Sequence, residues 1–401
     1  MKKALLCTCL LALSLVAEAQ DNHGYGSGDG QFKSLAEEIA GLKKHNDMFN
    51  VYINYAASAQ AQSDADHTWG TAFANKQLRL EIKGNLTDRL YYRFRHRLNK
   101  SNVASGEDNF AKATDIMMVG YRFSDKFRLE GGKTTQAYGG FEYDENPMYI
   151  YEFSEVGGTL DTYMAGVTAA FRPVPTQEFV LNVTNSHNEK FEEVYGGNAL
   201  AVEADGTHVR ALEKPRNPLA YIVNWNGSFL NDRLQTRWSL GLQGEARHKY
   251  SRTLFLGQKL NLDRLQWYFD YMGEFDGLDR LGIATGEIAP SITGFTGNVW
   301  LSDVHYNSFV TKLNWQFAPQ WNLMLKGSYE TASVTKIENL KDFRKCYSYV
   351  GSVEYYPIKS QDLRLFLAYV GRKVTYKEGF GLDKYNTNRI ELGFMYRIKA
   401  Y

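Results

Sequence analysis

The chain has 401 residues, a formal charge of +1, and aromatic side chains at 14% of its positions. Near-neutrality argues against bulk nucleic-acid binding, whose affinity rests on many cationic contacts to phosphates. No run of about 18 apolar residues follows the N-terminal leader, so the chain beyond it is soluble or crosses a membrane as strands.

The leader, "MKKALLCTCLLALSLVAEAQ", carries Lys2 and Lys3, an apolar run from Ala4 to Val16, and then Ala17-Glu18-Ala19. This is the layout of a secretory signal over residues 1–19, cleaved before Gln20. The run is too short to span ~30 Å of hydrocarbon as a helix. Losing Lys2, Lys3 and Glu18 leaves an exported chain with no formal charge. Cys7 and Cys9 leave with it, so Cys346 is the one remaining cysteine and no intrachain disulfide forms.

Residues 20–48 form a lead, Gly-rich over 20–30. Phe32, Leu35, Ile39 and Leu42 then fall at helical spacing, which predicts a short amphipathic helix in the periplasm or at a barrel mouth.

From Phe49 to Tyr401 the period changes to two. Alternating segments bounded by turn residues predict strands at 49–60, 76–86, 89–99, 114–124, 126–136, 162–172, 178–186 and 219–230. The series continues at 233–246, 252–262, 264–275, 304–317, 321–332, 345–356, 363–376 and 388–401. Every second connection is short, as in "NLTDRL", "FSDKF", "FLNDRL", "LNLDRL" and "FAPQW". The intervening ones are mostly long: 61–75, 100–113, 137–161, 187–218, 276–303 and 333–344. Sorting loop length by parity is expected of an all-β transmembrane antiparallel barrel of about 16 strands, with short periplasmic turns and long extracellular loops. The last strand, "NRIELGFMYRIKAY", alternates cleanly and ends on an aromatic residue, like the terminal signal of outer-membrane barrels.

Sidedness follows from solvation. Arg or Lys facing lipid at mid-membrane costs roughly 2–4 kcal/mol, so large apolar side chains face out and charged ones face the lumen. The segment "DRLYYRFRHRLNK" then turns Arg93, Arg95 and Arg97 inward. The same parity gives an anion-binding lumen set of Arg79, Lys83, Arg93, Arg95, Arg97, Arg122, Arg128, Arg233, Arg237, Arg364 and Arg389. Lys259, Lys312, Lys326, Arg372, Arg397 and Lys399 extend it. Glu81, Glu130, Glu245, Asp270, Glu274, Glu330, Glu354 and Glu391 are the inward acids. Arginines two residues apart on a strand lie ~6.6 Å from one another, so an anion can pass between them without losing every partner. Such a wall concentrates small anions, phosphate among them, and repels cations.

The third long connection, 137–161, is expected to fold inward as a constriction loop. It carries Asp144, Glu145 and Glu152, acids that would set a transverse field against the basic wall, beside Tyr143 and Tyr149; folding over the rim to seal a subunit contact is the alternative.

The stretches "KQLRLEIKGNLTDRLYYRFRHRLNKS", "LEGGKTTQAYGGFEYDENPMYIYEFS", "LNVTNSHNEKFEEVYG" and "RIELGFMYRIKAY" resemble the phosphate-selective porin O and P family, in the form common among Bacteroidetes-type bacteria. The resemblance implies a 16-stranded outer-membrane channel of a Gram-negative bacterium, assembled as a homotrimer, passing anions by diffusion. Arg93, Arg95 and Arg97 would correspond to the family's arginine ladder. The acidic third loop departs from a purely basic constriction. A general or sugar-conducting porin is the alternative, and an outer-membrane barrel enzyme a distant one. No GxSxG, HExxH or other spaced ligand set points to a catalytic group, metal or cofactor.

Overall fold

The computed structural model describes residues 32, 34–40, 47–104, 106–288 and 298–401. The expected signal (1–19) and Gly-rich segment (20–30) lie outside the described residues.

The strands are β1 (Asn50–Ser63), β2 (Trp69–Asn85), β3 (Leu90–Arg97), β4 (Thr114–Ser124), β5 (Phe127–Thr135), β6 (Tyr163–Val174), β7 (Gln177–Asn185), β8 (Leu200–Val202), β9 (Val209–Ala211) and β10 (Leu219–Phe229). They continue with β11 (Leu234–Ala246), β12 (Lys249–Asn261), β13 (Leu265–Leu278), β14 (Val299–Trp300), β15 (Ser302–Ala318), β16 (Trp321–Val334), β17 (Arg344–Tyr355), β18 (Asp362–Tyr376) and β19 (Tyr385–Lys399). All but β8, β9 and β14 close into one antiparallel barrel, and those three make a separate small sheet from the loops. The barrel seals where β1 pairs with β19, from Tyr52 opposite Lys399 to Ser63 opposite Asn388.

Each of the sixteen expected segments is a barrel strand. The first long loop is the main boundary difference, because β1 and β2 run on to Ser63 and Trp69 and leave only 64–68 as the turn. Asp64 Oδ1 closes that turn by accepting from the backbone N–H groups of Asp66 (3.0 Å) and Thr68 (2.9 Å). Its side chain replaces a backbone turn, so the hairpin needs no long loop.

Burial is inverted relative to a soluble protein. On β11, Leu240 is 64% exposed and Trp238 41%, whereas Glu245 is 0% exposed. Met117 and Val119 on β4 and Leu365 and Leu367 on β18 repeat the outward pattern. The outside of the barrel is therefore an apolar band and the charged groups line its inside.

The interior departs from the parity rule in two sectors. In one, Met148, Tyr149 and Tyr151 pack on Met324, Val350, Phe366 and Met395. In the larger one, Phe255, Met272, Ile222, Tyr306 and Val310 face inward and are buried, although large apolar residues were expected to point out. The segment 137–161 explains them. Its Tyr138, Phe141, Tyr143, Val156 and Leu160 pack on that wall and form a hydrophobic core inside the barrel. The chain turns inward at Gly139 (φ 71°) and Gly140 (φ 76°), a backbone conformation that side chains with a Cβ rarely adopt.

A short helix, Leu35–Ala40, sits at the short-turn rim. Ser34 Oγ accepts from Glu37 N–H (3.1 Å) and the Glu37 carboxylate accepts from Ser34 N–H (3.0 Å), a reciprocal cap. The helix is tied to the chain end by Ala36 N–H to the Ala400 carbonyl and by Ser360 Oγ to Glu38. Ile39, expected on its packed face, is instead 80% exposed. Leu42 lies outside the described residues.

Candidate functional site

Pairing of β19, β1, β2 and β3 lays cations side by side. Arg79 lies opposite Arg97, Glu81 opposite Arg95, and Lys83 opposite Arg93. One strand back, Asn54 lies opposite both Arg79 and Arg397, and Tyr52 opposite both Glu81 and Lys399. The acidic groups nearest these cations include Glu81 and, from β4, Asp115, while toward the long-loop rim Glu391 of β19 bonds Lys76 and Arg389. Arg93 Nε donates to Glu81 at 2.8 Å. Three guanidinium groups converge on Asp115: Arg97 at 2.9 Å, Arg79 at 3.3 Å and Arg95 at 3.4 Å. Arg95 also stacks on the Tyr163 ring (4.9 Å) and Arg397 on Tyr52 (4.1 Å). An aromatic face holds a guanidinium in place without neutralising it.

Two cavities meet this patch from opposite ends. One, of about 390 Å³ on the long-loop side, is lined by Gln77, Arg79, Arg97, Lys100, Lys133 and Asp115, with Phe153 and Gly157–Tyr163 of the inward segment opposite. The other, of about 490 Å³ on the short-turn side, is lined by Lys83, Arg93, Arg122 and Lys399 with Asp47, Glu130, Tyr52 and Tyr91. Arg79 and Arg95, 3% and 4% exposed, stand between them.

The other expected site residues serve different ends. Arg122 bonds Asn85 Oδ1 (3.1 Å) and covers the Tyr91 ring at the short-turn mouth. Arg128 is paired with Glu178 and Glu130. Arg233, expected in the lumen wall, is instead exposed in the turn between β10 and β11. That turn holds Leu230, Asn231 and Asp232 at positive φ, which ends the alternation before Arg233. Arg237, Arg364 and Arg389 do face inward, but acids engage them. Arg237 holds Asp144 at 2.6 Å, Arg364 lies 3.3 Å from Glu354, and Arg389 holds Glu152 at 2.9 Å.

These pairs change the role expected of the loop acids. Glu145 contacts Lys312, Glu142 contacts Lys326, and Glu155 takes Arg344 through both oxygens (2.6 and 2.7 Å) while also meeting Arg372. Asp270 accepts both the Phe141 and Glu142 N–H groups at 2.8 Å. Tyr149 is bonded to Asp362 and Tyr151 to Glu354. The acids are therefore fasteners in direct contact with wall cations, not an unneutralised row facing them, and Tyr143 and Tyr149 are buried anchors. Burial alone would push the Glu155 carboxyl up, but Arg344 and Arg372 outweigh it and hold it below its ordinary value.

Parity missed Asp115 and Lys76 for the same reason. On β4, Ile116 pairs with Arg95 and Thr114 with His96, so Asp115 is the extra residue of a bulge. Lys76, bonded to Glu391 at 2.9 Å, is the extra residue where Gln77 pairs with Ala56 and Asn75 with Ala57. A bulge resets alternation and re-aims one side chain.

A family model described as phosphate-selective porin O and P matches residues 49–398. The chain belongs to that family. As such it is an outer-membrane β-barrel channel for small solutes, with the short-turn rim periplasmic and the long-loop rim extracellular. Its fold is similar to that of the outer membrane channel DcaP of Acinetobacter baumannii (TM-score 0.59, 13% identity, 88% of this chain and 98% of that one). Salmonella typhi OmpF in complex with daunomycin is also similar (TM-score 0.55, 10% identity, 88% and 99%). OmpT of Vibrio cholerae in a trimer form gives a TM-score of 0.51 at 11% identity, covering 88% of this chain and 100% of that chain. No curated protein matches the chain.

Proposed function

We propose that this porin prefers small anions, phosphate among them, and that they pass along the inner face of β19, β1, β2 and β3. The observation that carries the reading is the charge of that patch. Arg79, Lys83, Arg93, Arg95, Arg97, Arg397 and Lys399 surround Glu81 and Asp115, and one Asp115 carboxylate serves three guanidinium groups. Elsewhere on the wall, from Arg389 in the long-loop half of β19 round to Arg237 of β11, the loop acids and the cations meet in contact pairs. Fixed positive charge beside narrow water favours anions. The family description supports phosphate as one of them.

The segment 137–161 narrows the lumen toward this wall and acts as the constriction loop. The subunits assemble as a homotrimer, as the trimer form of Vibrio cholerae OmpT does, and residues 1–19 direct export of the chain. The test is the reversal potential of the purified porin in planar bilayers under a KCl gradient. Chloride preference that falls when Arg79, Arg95 and Arg97 are replaced by Ala supports the reading. A wild-type preference for potassium overturns it.

A further inference from the structure

Buried polar atoms without hydrogen-bond partners are rare in proteins, since each costs about 1–3 kcal/mol. Several crowd together between the two cavities. Asn54 is 0% exposed, and neither its Nδ2 nor its Oδ1 has a hydrogen-bond partner among the described residues. Either orientation of the amide therefore leaves one donor and one acceptor unmatched. Around it, Arg79 Nη1 is an unmatched donor, and Gln77 Oε1 and Asp115 Oδ2 are unmatched acceptors. Asp115 Oδ2 does lie 3.3 Å from Arg79 Nε and 3.4 Å from Arg95 Nε, but neither N–H is aligned to donate to it. Pairing places these side chains together: Asn54 opposite Arg79, Gln77 opposite Ala56, and Asp115 at the β4 bulge beside Arg95.

This girdle lies in the wall between the two cavities and offers both donors and acceptors. Chloride satisfies donors only. An aprotic oxyanion such as sulfate satisfies the guanidinium donors but turns lone pairs toward the acceptor oxygens. An oxyanion that keeps a proton matches both sets, accepting from guanidinium and donating its O–H to an amide or carboxylate oxygen.

We propose that Asn54, with Gln77 beside it, is a specificity-determining residue that reads the proton on a tetrahedral oxyanion and favours hydrogen phosphate over sulfate. The inference rests on the anion reading above and adds to it the residue that sorts anions of equal charge. A site built to hydrogen-bond an O–H rejects the analogue lacking it because its own polar groups are then left unpaired.

The experiment measures block of chloride current by phosphate and by sulfate at about pH 8, where both are dianions, and repeats it with arsenate and selenate. The expected result is roughly tenfold stronger block by the protonated member of each pair, the ratio set by one unmatched buried hydrogen bond. In Asn54→Leu the ratio falls toward one. Equal block by both members in the wild type overturns the proposal, as does an unchanged ratio in Asn54→Leu. If that variant does not insert, Gln77→Leu, at a position lining the extracellular cavity, decides in its place. Potassium preference would mean that the anion reading itself fails. Chloride preference with equal phosphate and sulfate block means that only the Asn54 assignment fails.

Discussion

Asp115 Oδ1 accepts from Arg97 Nε at 2.9 Å, and the same carboxylate is the nearest counter-charge of Arg79 and Arg95. One buried acid thus holds three cations that otherwise repel one another. Replacing it by Asn removes negative charge from the passage and leaves the guanidinium groups less compensated. Asp115→Asn is expected to raise chloride preference in bilayers and to lower thermal stability, by about 3–5 kcal/mol if the cluster behaves as a broken buried pair. Unchanged selectivity would show that solutes do not sense this cluster.

One fastening of the loop is at Glu155, which Arg344 grips through both oxygens with Arg372 alongside. Arg344→Met keeps the bulk and removes the grip. Single-channel recordings should then show larger and noisier conductance, as the segment spends time away from the wall. Quiet currents of wild-type size would mean that the other contacts suffice.

Acid should loosen the same fastening. The folded Glu155 carboxyl sits below its ordinary value, so its contribution is fully present above the unfolded value of about 4.3 and fades as pH falls through the folded one. Conductance noise should be flat from neutrality down to about pH 5 and rise below it. In Glu155→Gln the noise should be present at every pH and lack this acid-dependent rise.

Gly139 holds a φ of 71°, and a Cβ there would meet Asn224 Nδ2 at 2.4 Å. Gly139→Ala therefore combines backbone strain of order 1–3 kcal/mol with a clash. A lower unfolding temperature, read from the heat-dependent shift in gel mobility, is expected. Gly131→Ala should do little, since its Cβ would point into open space.

Sidedness is tested at Leu240, midway along β11 and 64% exposed. Leu240→Arg should cost roughly 2–4 kcal/mol on folding into lipid vesicles, whereas Leu240→Phe should be tolerated. Equal folding of both would remove the lipid-facing assignment.

Most of the barrel was legible because alternation with period two is a direct imprint of lipid on one side and water on the other. Leu240 against Glu245 needed only that rule. Asp115 and Lys76 escaped it because a bulge adds one residue and reverses parity locally, with no marker in the neighbouring residue types. Phe255 and Met272 escaped it because their solvent is neither lipid nor water but the segment 137–161, a long-range contact that no local pattern encodes. Arg233 failed at a strand end, where three residues at positive φ interrupt the alternation.

The seam between β1 and β19 has a consequence for biogenesis. The opening strand of the barrel finds its second neighbour only in β19, the barrel strand most distant from it in sequence, so assembly before β19 docks leaves β1 with an unprotected edge. Contacts this distant along the chain also close slowly. A polypeptide lacking β19 would keep most of its strands and yet have no way to become a cylinder.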